Sequence, residues 1–151
     1  GEIKPMATPH DEFIEREIKP MLDANEQIRF KAYMVKQPGL LLQMLLLGGL
    51  LLFLLTKAYY VVVTTRRIII IRTKQGFFKP ALLNIGVEEI PLSQVKEITT
   101  SGFANNRSMS FHKTDGTKLT LRIAPWSKLV TGQKEMLEVL PTKLNQGQLT
   151  A

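Results

Sequence analysis

The sequence contains no cysteine. That excludes disulfides, thiolate metal sites and cysteine nucleophiles, although it does not fix the compartment. Histidine occurs only twice, as His10 and His112. His112 could be drawn into a triad with Asp115 and Ser108 or Ser110. Strand alternation puts His112 on the solvent face, however, and turn chemistry explains Asp115. There is no phosphate-binding glycine loop, no HExxH and no cluster of carboxylates. The expectation is a protein without catalysis, metal or cofactor. Aromatic residues make up only 7% of the chain, and no stretch interleaves them with basic residues. A basic barrel stacking nucleic-acid bases on Phe77, Phe78 or Phe103 beside Arg107 is therefore only an alternative.

Acidic residues are missing from one part of the chain. Between Lys57 and Lys79 stand six basic side chains (Lys57, Arg66, Arg67, Arg72, Lys74 and Lys79) and no acid. Residues 1–56 carry a net charge of −1 and residues 57–151 one of +8. Such asymmetry points to a polyanionic partner. The six cations are the candidate binding residues, facing an anionic membrane surface or a protein partner.

Polar residues are almost missing from residues 40–55, LLLQMLLLGGLLLFLL. Thirteen of these sixteen are large and apolar, and Gln43 is the only polar side chain. A leucine run without β-branched residues suits a helix. Sixteen helical residues reach about 24 Å, somewhat short of a hydrocarbon core ~30 Å thick. Three topologies are open: a single span, a shallow re-entrant hairpin bent at Gly48-Gly49, and a helix buried between subunits of a soluble oligomer. A membrane-type helix over residues 39–56 is the favoured expectation. Three basic residues precede the run and five follow it within eighteen positions. That bias places the following domain in the cytoplasm.

Around this run the pattern is that of a small α+β domain. Thr8-Pro9 followed by Asp11 and Glu12 predicts a helix start. Ile14, Ile18, Met21 and Leu22 form its stripe, and Pro20 kinks or ends it. Ile28, Phe30, Ala32 and Met34 alternate as in a strand. YYVVVTTRRIIIIR predicts two strands, 59–64 and 67–73, joined at Thr65-Arg66. Residues 74–86 read as a loop. VEEIPLSQVKEITTSGF predicts a strand, a turn and a strand, and ANNR a further turn. A hairpin with the loop Thr114-Asp115-Gly116 sets Phe111 against Leu119 and Met109 against Leu121, with Gly116 left-handed. Trp126, Leu129, Val130, Gln133, Met136, Leu137 and Leu140 predict a final amphipathic helix, weakened in the middle by Gly132 and ended by Pro141. The expected divisions are 1–38, 39–56, 57–145 and a mobile tail, 146–151. Met6 is expected to be the native start, with residues 1–5 an added leader. The pentapeptide EIKPM occurs at both 2–6 and 17–21, and it has no physical explanation here.

Several of these residues, in this order, resemble a bacterial pleckstrin-homology (PH-like) domain: Leu22, Glu26 and Ile28; Tyr60, Val62, Thr64, Arg67 and Ile68; EIPLSQV over 89–95; and Asp115-Gly116. The resemblance covers most of residues 22–140. It implies an antiparallel barrel or sandwich closed by the C-terminal helix, without enzymatic activity. The leucine run between the first two strands departs from that pattern. So does the lack of a Lys…Arg-x-Arg motif, which leaves phosphoinositide specificity unsupported. The whole predicts a membrane-attached module with a basic cytoplasmic face; a homo-oligomer with a buried leucine helix is the other possibility.

Overall fold

The structure is a computed structural model that describes residues 7–36, 56–74, 80–104 and 106–147. Residues 40–55 and Lys79 lie outside the described residues.

Helix α1 spans Pro9–Ile18. Thr8 caps it through a reciprocal box: its hydroxyl accepts from the Asp11 N–H, and the Asp11 carboxylate accepts from the Thr8 N–H, both at 3.0 Å. This satisfies two amide donors that a helix start leaves orphaned. The helix ends at Ile18, and a single 3-10 turn, Lys19–Met21, carries Pro20 out of it.

Seven strands follow: β1 (Ile28–Lys36), β2 (Lys57–Thr64), β3 (Arg67–Thr73), β4 (Gly86–Pro91), β5 (Val95–Phe103), β6 (Asn106–Lys113) and β7 (Lys118–Ile123). They form one antiparallel sheet in the order β4-β3-β2-β1-β7-β6-β5. The expected closure into a barrel is not observed, because β4 and β5 are the two sheet edges. A physical reason lies at the corner between them. Pro91 ends β4 without an N–H to donate, and the 3-10 turn Leu92–Gln94 redirects the chain into β5. The seam between β1 and β7 is narrow, with only Met34↔Ile123 and Val35↔Arg122 paired. The sheet is therefore a four-stranded and a three-stranded part joined at that seam.

Two apolar clusters occupy its two faces. One contains Ala32, Met34, Val61, Ile70, Met109, Phe111 and Leu121 and is covered by α2, Gln133–Asn145, through Met136, Leu137 and Leu140. The other joins Tyr60, Val62, Ile69 and Ile71 to Phe13, Ile14 and Ile18 of α1. Burial on both faces explains the unbroken Val and Ile runs of β2 and β3.

The β6–β7 hairpin has the expected register, with Phe111↔Leu119 and Met109↔Leu121. Gly116 takes φ +89°, the left-handed conformation that a three-residue loop requires there. Two expectations on the last helix are corrected. It starts at Gln133, with Gly132 (φ +95°) as the residue before it rather than in its middle. Residues 126–131 precede it and are not helical. Pro141 lies inside the helix. It removes one N–H, but the next turn is held by packing: Leu144 lies against the core, and the Asn145 side chain bonds both the N–H and the carbonyl of Ile98 on β5. A further correction concerns β1. A register shift between Ile28 and Phe30 puts Ile28 with the α1-side cluster, while Phe30 stays with the other. A β-bulge turns one residue out of alternation in this way.

Candidate functional site

The six cations proposed from sequence are not one patch. Lys79 lies outside the described residues, and the other five divide between the two ends of the β2–β3 hairpin, roughly 23 Å apart at ~3.3 Å per residue along β2.

At the turn end, Arg67 is a structural residue. Its Nε and Nη2 clamp the Glu26 carboxylate at 2.9 and 2.7 Å, its Nη1 reaches Glu89 at 2.6 Å, and Nη2 also donates to the Met21 carbonyl. The Glu26 side chain is fully buried. Thr64 completes the cluster. Its hydroxyl donates to Glu26 and accepts the N–H groups of Arg66 and Arg67 at 3.1 and 3.0 Å. Burial by itself raises the Glu26 pKa, but the hydrogen bonds from Arg67, Thr64 and the Asp23 N–H outweigh it and bring it down to about 2. The EIPLSQV corner meets the same point, with Pro91 opposite Arg67 and the Leu92 N–H bonded to the Arg66 carbonyl at 2.9 Å. Part of the resemblance to PH-like domains, Glu26, Thr64, Arg67 and the start of the EIPLSQV corner, thus converges on one architectural knot. Arg66 beside it is exposed and pairs with exposed Asp23 at 3.1 Å. An open cleft of about 580 Å³ lies there, lined by Arg66, Arg29, Asn25 and Ser93 among others.

At the opposite end, Lys57 begins β2 and Lys74 follows β3; both are exposed, as is Arg72. Lys36, which sequence reasoning counted only as a flanking charge, pairs directly with Lys57. Since Ala58 pairs with Thr73, Lys36, Lys57 and Lys74 form a row across the ends of three neighbouring strands. The pleat puts Arg72 on the same face as Lys74, and its side chain runs beside Gly86 of β4. The signal for Lys36 was available: strands flanking one excursion of the chain are natural hairpin partners.

The Lys36↔Lys57 pair also limits topology. Chain leaving β1 after Lys36 re-enters β2 at the same end of the sheet. A segment crossing a bilayer once would leave these two lysines on opposite sides of it, so the single-span expectation is incompatible with the register. Among the described residues, no helix is long and apolar enough to cross a membrane.

The remaining candidates are dispersed. His112 bonds the Thr99 hydroxyl at 2.8 Å, while Asp115 accepts from the N–H and hydroxyl of Thr117. The drawn triad is not assembled. His10 is buried, with Nε2 3.2 Å from the Pro80 carbonyl. Phe103 is 85% exposed, and Arg107 turns toward the Ser101 carbonyl at 3.3 Å. Phe77 and Phe78 lie outside the described residues. A second buried carboxylate, Asp11, gathers Thr8, Thr131 and Lys31, ties α1 to the approach to α2, and titrates at about 2 despite its burial.

No protein-family profile and no curated protein matches this sequence. Solved structures do match in fold. The hSac2 domain of the human phosphoinositide phosphatase Sac2 superposes with a TM-score of 0.51 at 12% identity, over 88% of this chain and 77% of that one. The C-terminal domain of an unknown protein from Leishmania infantum gives 0.50 at 10% identity, over 93% and 97%. A DUF1696 family protein with a pleckstrin-homology domain, from Shewanella loihica PV-4, gives 0.43 at 12% identity, over 93% of both chains. The first two establish a shared fold and nothing about activity; the third is too loose a superposition to carry an argument.

Proposed function

We propose that the chain is a non-enzymatic, membrane-attached PH-like binding module that presents a basic face to anionic lipid on the cytoplasmic side. The observation that carries this reading is the Lys36↔Lys57 pair. It ties both ends of an uncharged, leucine-rich sequence to one end of the sheet, and that end is ringed by Lys36, Lys57, Arg72 and Lys74. Attachment by re-entry from one side agrees with this register. The revised binding set is Lys36, Lys57, Arg72 and Lys74; Arg67 leaves it because its charge is already used by Glu26 and Glu89. Each cation near an anionic leaflet contributes roughly 1 kcal/mol, and the attraction fades over a Debye length of about 8 Å at physiological salt.

The test is flotation of the full chain with vesicles of phosphatidylcholine alone or mixed with phosphatidylserine. The reading expects stronger association with the anionic vesicles, weakened by salt. It also expects Lys57→Gln, Arg72→Gln and Lys74→Gln together to weaken association without lowering the melting temperature. A detergent-free, monodisperse oligomer that ignores both vesicle types would overturn it in favour of a leucine segment buried between subunits.

A further inference from the structure

The segment from Pro80 into the start of β4 exposes large apolar side chains in close succession: Leu82 is 48% exposed, Leu83 43%, Ile85 44% and, within β4, Val87 42%. Single exposed leucines need no explanation, but a contiguous group calls for one. None of the four belongs to either core cluster. Their backbone is nevertheless held firmly. The Ala81 N–H donates to the Lys74 carbonyl at 2.9 Å, and the Ala81 carbonyl accepts from both Tyr60 Oη and Thr73 Oγ1 at 2.8 Å. The Ile85 N–H donates to the Arg72 carbonyl at 2.9 Å, Asn84 Nδ2 donates to Glu17 at 3.3 Å, and the Gly86 N–H donates to Asn84 Oδ1 at 3.0 Å. The fold spends these bonds on holding half-exposed apolar side chains that join neither core cluster.

We propose that Leu82, Leu83 and Ile85 form a second membrane-contact element, which seats among the acyl chains just below the headgroups of an anionic bilayer while Lys57, Arg72 and Lys74 meet the headgroup phosphates. This rests on the attachment reading above. Charge selects the occupant. The backbone bonds fix the apolar segment directly beside Arg72 and Lys74, at the end of the sheet where Lys36 and Lys57 also lie. Among the described residues, the acidic groups that the interactions place here are Glu17, bonded to Asn84, and Glu88 on β4; both Glu88 and Arg72 act electrostatically on Tyr59. The chain's own residues 40–55 would match the apolar side chains, but they carry no charge and would leave the cations uncompensated. An anionic bilayer offers an apolar layer and phosphates at adjoining depths.

The absence of cysteine permits a clean test. Leu83→Cys and, as a control at the opposite end of the hairpin, Ser93→Cys are each labelled in the full chain with an environment-sensitive fluorophore. Each protein is mixed with phosphatidylserine–phosphatidylcholine vesicles carrying a nitroxide on the acyl chain. The proposal expects position 83 to shift to the blue, to be quenched by the nitroxide and to be shielded from aqueous iodide. Position 93 should stay open to iodide. If the protein floats with the vesicles but position 83 remains open to iodide, the second contact is refuted and the attachment reading stands. If position 83 is shielded from both quenchers, protein covers it, residues 40–55 or a partner being the candidates, and the proposal is again refuted. If the protein does not associate with vesicles at all, both readings fail.

Discussion

Replacing Arg67 by alanine should destabilise the protein in a way that depends on pH with an unusual sign. In the native protein the Glu26 carboxyl titrates at about 2 instead of the ordinary 4.5. A group whose folded pKa is depressed contributes stability above its unfolded pKa and loses it as pH falls toward the folded one. At 1.36 kcal/mol per unit, the ionised Glu26 contributes about 3 kcal/mol at neutral pH, lost between pH 4.5 and 2. Arg67→Ala removes two of the hydrogen bonds that hold the pKa down and leaves a buried carboxylate unpaired. Breaking a buried pair from one side costs about 3–5 kcal/mol. Burial then dominates and pushes the Glu26 pKa above its ordinary value, so the variant loses stability as pH rises through 4.5. The gap between wild type and variant should therefore be about 3–5 kcal/mol at pH 7 and narrow to about 1–2 kcal/mol near pH 3. Asp11 also titrates in this range, but it is present in both proteins and cancels in the difference. The assay is urea unfolding of the full chain in mild detergent, followed by far-UV circular dichroism at both pH values. Arg67→Lys, which keeps the charge but not the planar fork, should fall between. A gap that does not change with pH, or one below about 1 kcal/mol at pH 7, would refute the assignment of Arg67 to the Glu26 knot.

Arg66→Ala should cost less than about 1 kcal/mol in the same unfolding assay, because its pair with Asp23 is exposed on both sides. Gly116→Val should cost about 1–3 kcal/mol; no neighbour lies within 4 Å of an added Cβ, so the cost is the strain of a β-branched residue at φ +89°. Tyr33→Phe should be neutral or stabilising by up to about 1 kcal/mol, since its hydroxyl is the one buried side-chain polar atom without a hydrogen-bond partner among the described residues. Asp11→Ala should cost about 1–3 kcal/mol at pH 7, as it removes a cap and strands the Thr131 N–H, and this penalty should shrink as pH falls from 3.8 toward 2, where the native carboxylate loses its own advantage.

Local physics was readable directly from the residue string. The Thr8-Pro9 cap, the β2 and β3 strands and the Thr114-Asp115-Gly116 loop follow from rules that act over a few positions. The hairpin register could be derived because a three-residue loop, unlike a two-residue one, puts Phe111 and Leu121 on the same face. The misreadings involve residues whose role is set from far along the chain. A proline normally ends a helix, but the Asn145–Ile98 bonds carry this one past Pro141, and alternation alone puts Ile28 on the face of Phe30 because a bulge is invisible to it. The candidate site shows the same divide. A count of basic residues found Lys57, Arg66, Arg67, Arg72 and Lys74, but composition does not distinguish a free cation from a spent one. Only folding brings Glu26 to Arg67, forty-one positions away. Only strand pairing sets Lys36 beside Lys57 and sends Arg66 to the other end of the sheet. The sequence by itself determined which elements form and how much positive charge the protein carries. The tertiary structure decided which of those charges remain available to a partner, because that depends on carboxylates supplied by distant parts of the chain.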